Sequence, residues 1–185
     1  MFDKRELLKA TLRGEKTDRV PCGFWHHFPP DLQQGNASVQ AHISFYEAID
    51  ADMLKIMNEH LYTIDCSIET AEDWKKLKHH SSFEKSGYSH YLQEVRAIKQ
   101  ALPADVPLFA TVHGILVSAY HATEQPGFFS NPDNMVSRHL RENPEAVAVG
   151  LQSITDTLIE LCTQLCDVGI DGIYYAALGG ESYRF

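Results

Sequence analysis

The chain has 185 residues, of which 44% are apolar and 22% are charged. This length suits one domain of ordinary size, and the apolar fraction excludes an intrinsically disordered protein. No apolar run approaches the roughly 18 residues of a membrane helix, so we expect no membrane partner. Sixteen basic residues against 25 acidic ones give a net charge of −9, which argues against binding to nucleic acid because it repels a phosphate backbone.

The sequence also predicts a cytoplasmic protein. The first residues contain no apolar segment after their basic residues, which a secretory signal requires. The cysteines form neither a Cys-x-x-Cys motif nor a disulfide-rich pattern, so we expect reduced thiols; they are Cys22, Cys66, Cys162 and Cys166.

Helix and strand signals alternate along the chain. Asp3 followed by Glu6 predicts the start of a first helix, which Gly14 ends. Further helices are predicted over residues 38–49, from residue 70 and over residues 88–101. A last helix is predicted from residue 144 to residue 168, with Asn143 as its N-cap and Gly169 as its stop. Short apolar runs predict four buried strands, which begin near residues 20, 53, 107 and 170.

This alternation favours the α/β class, with parallel strands joined by helical crossovers. Neither a Gly-x-Gly-x-x-Gly motif nor a phosphate-binding loop is present, so a barrel is favoured over a nucleotide-binding doubly wound sheet. No repeat or low-complexity linker interrupts the pattern, and we therefore predict a single domain over residues 1–185.

Polar residues follow the predicted strands, and ligands of parallel α/β proteins bind at the carboxyl ends of strands. The residues concerned are His26, His27, Asn58, Glu59, His60 and His113. Such side chains can transfer protons or hold a substrate by hydrogen bonds. The alternative is that short loops are polar and that histidine is abundant in this chain, with ten copies. No compact motif such as His-Glu-x-x-His occurs, so we predict no metal site.

Several short stretches become informative through their order and spacing. They are Arg-Gly-Glu-Lys-Thr-Asp-Arg-Val-Pro at 13–21, Asp-Ala-Asp at 50–52, Val-Pro-Leu-Phe at 106–109, Ser-Ala-Tyr at 118–120, Glu-Asn-Pro-Glu-Ala at 142–146 and Asp-Val-Gly-Ile-Asp-Gly-Ile at 167–173. Together they resemble the uroporphyrinogen decarboxylase superfamily of (β/α)8 barrels, which includes the decarboxylase and cobalamin-dependent methyltransferases. The resemblance implies a TIM-barrel-like fold, of which this chain covers about the first four strands as a half barrel whose second half is absent.

The resemblance implies roles for individual residues. Glu59 takes the position of an aspartate that faces the pyrrole nitrogens in the decarboxylase, and Tyr120 matches the family's tyrosine beyond the third strand. Both are therefore the implied catalytic residues, able to stabilise a protonated pyrrole while CO₂ leaves. The polar residues at the strand ends are the predicted substrate-binding residues: His26, His27, Asn58, His60 and His113.

One difference from the decarboxylase branch decides between activities. That branch carries an Arg-Gln-Ala-Gly-Arg run after its first strand to bind substrate carboxylates, whereas residues 25–30 read Trp-His-His-Phe-Pro-Pro here. Histidine does not replace the bidentate guanidinium. This difference favours methyl transfer involving a corrinoid and a thiol acceptor or methyl donor. The alternatives are tetrapyrrole decarboxylation in porphyrin biosynthesis and a non-catalytic half barrel that binds a partner or tetrapyrrole.

Cofactor and partner expectations follow from the same resemblance. We expect no covalently bound cofactor, and a corrinoid or a corrinoid protein as substrate or partner. Zinc is held in some relatives by a His-x-Cys pair and a distant Cys of the second half, so we expect it only if that half is supplied. Because a half barrel leaves sheet edges open, we also expect a homo-oligomer or a complementing chain.

Overall fold

The computed structural model describes residues 3–80, 82–123 and 134–177. Its helices are α1 (Lys4–Leu12), α2 (Gly35–Ile49), α3 (Leu77–His80), α4 (Tyr88–Ala101), α5 (Ile115–Thr123), α6 (Met135–Glu142) and α7 (Pro144–Val168). Its strands are β1 (Leu54–Ile56), β2 (Leu108–His113) and β3 (Gly172–Ala176). Short 3-10 helices cover Pro30–Leu32 and Ala71–Lys76.

The strands form one sheet in the order β1-β2-β3, and β1 and β2 pair in parallel. At the start of β3 the Asp171 N–H donates to the Leu108 carbonyl over 2.9 Å, and at its end the Gly114 N–H donates to the Ala176 carbonyl over 2.9 Å. The strands β2 and β3 therefore also run in parallel. The α/β class is confirmed, and the arrangement is consistent with part of a TIM-barrel-like fold, of which the half-barrel extent stays a prediction.

The predicted strand near residue 20 is wrong, because residues 19–25 form no strand. Pro21 has no N–H to donate, which removes one hydrogen bond from any ladder. The Cys22 N–H donates to the Asp52 carboxylate over 3.0 Å instead of to a strand carbonyl. The Cys22 carbonyl still accepts from the Asp52 N–H over 2.9 Å, so the segment touches the chain just before β1 without a regular ladder.

The predicted helix ends are confirmed where a capping residue is present. The Asp3 side chain accepts from the Glu6 N–H over 2.7 Å at the start of α1. The Asn143 side chain accepts from the Ala146 N–H over 3.1 Å at the start of α7, and Gly169 follows α7 with a φ of 80°. The helices α5 and α6 were not predicted, because each carries buried polar residues that break the apolar pattern.

The first of two compact units contains residues 3–59, 90–111 and 164–174. Its core joins α1, β1, β2 and α4 through side chains that are fully or almost fully buried: Leu7, Ala10, Leu54, Ile56, Val95, Ile98 and Ala110. Near the amino end of β3, the Arg5 guanidinium pairs with Asp171 and donates to the Ala104 carbonyl over 2.9 Å. Asp171 in turn accepts from the Leu108 N–H over 2.9 Å, so this end of the sheet is fixed by charge-assisted hydrogen bonds.

The second unit contains residues 60–80, 82–89, 112–123, 134–163 and 175–177. Its core is rich in large aromatic and aliphatic side chains, namely Tyr62, Trp74, Tyr88, Tyr120, Ile154 and Leu161. The Trp74 indole N–H donates to His139 Nδ1 over 3.1 Å, so a buried polar group finds a buried partner. Within the described ranges no helix is long and apolar enough to cross a membrane.

Candidate active site at the carboxyl end of β1

An aromatic cluster fixes the loop that carries the two adjacent histidines of the first unit. Phe28 is buried, and its ring lies 4.7 Å from the His42 ring and 6.3 Å from the Phe45 ring of α2. The His26 ring lies 4.6 Å from the Phe28 ring and 4.7 Å from the Phe45 ring. Edge-to-face contacts of this kind hold the loop on α2. The His26 ring is one of the rings that hold the loop there.

His42 connects α2 to the end of β1. Its Nε2 accepts from the Met57 N–H over 2.9 Å, and its Nδ1 lies 2.8 Å from the Ser38 carbonyl oxygen. Since Nε2 accepts, the proton sits on Nδ1 and is donated to that carbonyl. Burial lowers the pKa of His42, which keeps the ring neutral. The residues that follow Met57 are therefore held by a buried imidazole.

His27 and Glu59 form a directed pair at this strand end. The His27 Nδ1 lies 2.8 Å from Glu59 Oε1, the His27 side chain is 66% exposed and the Glu59 side chain is 12% exposed. A carboxylate that accepts from Nδ1 orients the ring and leaves Nε2 for a ligand. Asn58, between Met57 and Glu59, is buried in the same unit. The structure thus brings together two of the sequence-predicted residues, His27 and Glu59.

A buried lysine of β1 contacts Trp25, whose ring centre lies 5.9 Å from the His27 ring centre. Lys55 is 9% exposed, and its ammonium lies 3.7 Å from the Trp25 ring centre and 3.6 Å from the Tyr174 ring centre. Its register partner on β2 is Phe109, which extends the same aromatic face of the sheet. Burial lowers the pKa of Lys55 to about 8. An ammonium between two aromatic faces is a cation–π arrangement.

Two functional candidates were missed for different reasons. His42 lies inside the helix predicted over residues 38–49, and the sequence gives no signal for its bond to Met57. Lys55 lies inside the apolar run that predicts the strand near residue 53. A charged residue at the centre of such a run is a recognisable signal, because lysine is almost never buried without a reason.

The other predicted site residues belong to the second unit. His60 and Tyr120 are buried there, and the His113 ring lies 4.9 Å from the His121 ring in an edge-to-face contact. Burial also lowers the pKa of His121 to about 4. The roles assigned to His60, His113 and Tyr120 stay predictions.

A cleft of the first unit lies at the opposite end of the strands. This cleft of about 340 Å³ is lined by Arg5, Lys99 and Asp171, among others. Arg5 is paired with Asp171, and Lys99 donates to the Gly169 carbonyl. Both cations of the cleft are thus engaged by the protein itself. In the part of the chain that the structure describes, no three His, Cys, Asp or Glu side chains are grouped to hold a metal ion.

Comparisons with known proteins show a related fold and the family of the chain. The fold resembles that of a methyltransferase from Methanosarcina mazei, with a TM-score of 0.66 and 13% sequence identity over 94% of this chain and 58% of that chain. This chain therefore spans just over half of that protein's length. The sequence model of the family Uroporphyrinogen decarboxylase (URO-D) matches residues 56–181, and the chain belongs to that family. No curated protein matches the sequence.

Proposed function

We propose that the protein takes part in methyl transfer between a corrinoid and a thiol acceptor or methyl donor. The observation that carries the proposal is the His27–Glu59 pair, in which a mostly buried carboxylate orients an exposed imidazole over 2.8 Å. Membership of the URO-D family and the fold likeness to a methyltransferase support the same activity. Residues 24–30 contain no arginine to bind a substrate with many carboxylates, which weighs against decarboxylation of such a substrate.

The chemistry of this proposal uses His27 as a proton acceptor. The Glu59 carboxylate holds the proton on His27 Nδ1, so Nε2 is left with its lone pair. A thiol bound beside His27 transfers its proton to Nε2, and the resulting thiolate is the stronger nucleophile. With a methyl donor bound, the thiolate sulfur would form a bond to the methyl carbon while the bond from that carbon to the donor breaks, and its electron pair would stay on the donor. Glu59 stabilises the imidazolium that this proton transfer creates.

The surroundings of the pair suit a flat tetrapyrrole-like ligand. The Trp25 ring lies 5.9 Å from the His27 ring, and Trp25 and Tyr174 each expose nearly half of their surface. Aromatic faces of this kind stack on planar macrocycles. A corrinoid, when bound, supplies an activated methyl group. No step is assigned to zinc, because the described residues hold no donor set for it.

Ligand binding is the first test of this function. Hydroxocobalamin and uroporphyrin are each titrated into the protein while the absorbance of the ligand is followed. A saturable spectral change with hydroxocobalamin supports the proposal. A change with uroporphyrin alone, followed by CO₂ release from the reduced porphyrinogen, would favour the decarboxylase alternative. No spectral change with either ligand would contradict both and leave the non-catalytic role.

Substitution of Glu59 tests the catalytic assignment. In an assay that follows demethylation of methylcobalamin by a thiol, Glu59→Gln should lower kcat about 100-fold because the imidazole loses its carboxylate. Glu59→Asp should retain more of the rate. Glu47→Gln, on the exposed side of α2, is the matched control. Equal rates for Glu59→Gln and the control would refute the role of Glu59.

Assembly is a further part of the proposal. The strand β3 ends the described sheet order and carries the half-exposed Tyr175, which does not belong to the candidate site. We propose that a second copy or a complementing chain covers it. Light scattering coupled to size exclusion tests this, and a monomer over the whole concentration range would contradict it.

A further inference from the structure

Lys55 differs from Lys4, another lysine that contacts an aromatic ring. The Lys4 ammonium lies 4.8 Å from the Tyr46 ring centre and donates to Tyr46 Oη, Asp50 Oδ1 and the Ala51 carbonyl over 2.8, 2.9 and 2.8 Å. All three of its N–H groups therefore have an oxygen acceptor. The Lys55 ammonium contacts the Trp25 and Tyr174 rings, and in the described ranges no oxygen atom accepts a hydrogen bond from it.

The pKa values of the two lysines shift in opposite directions, because hydrogen bonds offset the burial of Lys4 and do not offset that of Lys55. Burial opposes the charge of Lys4, but its hydrogen bonds to Tyr46 and Asp50 raise its pKa overall. Burial alone acts on Lys55 and lowers its pKa to about 8, with no charged neighbour offsetting it. Lys4 is thus a satisfied structural lysine, whereas Lys55 is a buried cation that lacks an anion.

Taking the location of the site from the proposed function, we propose that Lys55 binds a carboxylate of the substrate between the rings of Trp25 and Tyr174. A buried charge is costly unless it is paired and hydrogen-bonded, and a ligand carboxylate supplies both. The ammonium has three N–H donors, and the two ring faces occupy only two of its sides. A ligand oxygen on the remaining side completes the coordination.

The local charge favours a ligand group with a single negative charge. One ammonium neutralises one carboxylate, whereas a phosphate dianion would leave a charge against the negative faces of two aromatic rings. Glu59 follows Lys55 by four residues, and its negative charge at the end of β1 disfavours a second negative charge on the ligand. The chain as a whole has a net charge of −9. The substrate class inferred is therefore a small molecule that carries one carboxylate next to an apolar, stackable body.

Competitive labelling of lysines tests this binding site. The protein is treated with trace acetic anhydride at several pH values, and the acetylation rate of each lysine is measured by peptide mass spectrometry. Benzoate is the carboxylate probe, benzamide is its neutral counterpart, and inorganic phosphate is the other oxyanion, all at constant ionic strength. Lys9, which is exposed and pairs with Glu6, is the internal reference.

Benzoate should slow the acetylation of Lys55 about tenfold, because a rise of about one in its pKa reduces the neutral amine about tenfold. Benzamide should have no effect, and Lys9 should react equally in all samples. Protection by phosphate but not by benzoate would overturn the carboxylate assignment. Equal rates for Lys55 with benzoate and with benzamide would overturn the site itself.

Two variants give a second measurement by calorimetric titration with benzoate. Lys55→Met removes the charge but keeps an unbranched side chain, and it should weaken benzoate binding about tenfold. Lys55→Arg should retain most of the affinity. Equal affinities of wild type and Lys55→Met would overturn the proposal. If benzoate protects Lys55 but hydroxocobalamin does not bind, the methyl-transfer function fails alone; the reverse result removes the carboxylate site alone.

Discussion

His42 uses both of its ring nitrogens inside the protein, and this makes it a positioning residue for the candidate site. Its bonds to the Ser38 carbonyl and the Met57 N–H join α2 to the residues that lead to Glu59. Lys55 and the His27–Glu59 pair therefore depend on a residue that reaches no ligand itself. At the residue scale, the site consists of a few exposed polar groups held by buried ones.

The residue-scale prediction concerns His42→Ala. The substitution leaves the Met57 N–H and the Ser38 carbonyl without their partner and creates a cavity beside Phe28. We expect the free energy of unfolding to fall by about 3 kcal/mol. Urea denaturation followed by circular dichroism measures it. Glu47→Ala on the same helix is the control and should change stability by less than about 0.5 kcal/mol. A comparable small change for His42→Ala would contradict this account.

At the scale of elements, α7 shows how one residue fixes the contact of a long helix. Gly150 lies in this helix, and a Cβ placed on it would be 2.7 Å from Trp74 Cε3 and 2.9 Å from the Trp74 carbonyl oxygen. The helix backbone therefore packs directly against the 3-10 helix that holds Trp74. A glycine within a helix normally weakens it, but here a larger residue would not fit.

The element-scale prediction is that Gly150→Ala destabilises the protein although alanine is the better helix former. The overlap with Trp74 should cost about 2 kcal/mol, which exceeds the gain of about 1 kcal/mol in helix propensity. Ser153→Ala is the matched control, because the Ser153 hydroxyl donates to the Val149 carbonyl of its own helix. Chemical denaturation compares the two variants. A rise in stability for Gly150→Ala would show that α7 does not approach Trp74 this closely.

At the scale of the whole molecule, buried histidines make stability depend on pH. Burial lowers the pKa values of His42 in the first unit and of His121 and His139 in the second. The unfolded chain takes up protons on these rings below a pH of about 6.5, whereas the folded chain does not until lower pH. The stability is therefore fully present above about pH 6.5 and decreases as the pH falls below it.

The molecule-scale prediction concerns His121, whose folded pKa of about 4 sets the lower limit of its window. Between about pH 6.5 and pH 4 its contribution to the free energy of unfolding should fall by on the order of 3 kcal/mol. Denaturation at several pH values measures the slope. His121→Gln should flatten it, whereas the exposed His79→Gln should leave it unchanged. An equal slope for His121→Gln and wild type would contradict the shift.

The sequence was informative wherever one residue type controls local geometry. Asp3, Gly14, Asn143 and Gly169 marked the ends of α1 and α7, and the apolar runs near residues 53, 107 and 170 marked β1, β2 and β3. The same reasoning was wrong at residues 19–25, where Pro21 and the bond from the Cys22 N–H to Asp52 replace a strand ladder. Apolar content alone does not show which carbonyl or carboxylate an N–H will reach.

By itself, the sequence determined the α/β class, the alternation of helices and strands, the caps and the family resemblance, because these depend on residues close together in the chain. Only the tertiary structure showed that the Lys55 ammonium lies between Trp25 and Tyr174, and that His42 holds Met57. Only it placed His27 against Glu59, 32 positions away. Contacts between distant residues depend on how helices and strands pack in three dimensions, and no local pattern contains that information.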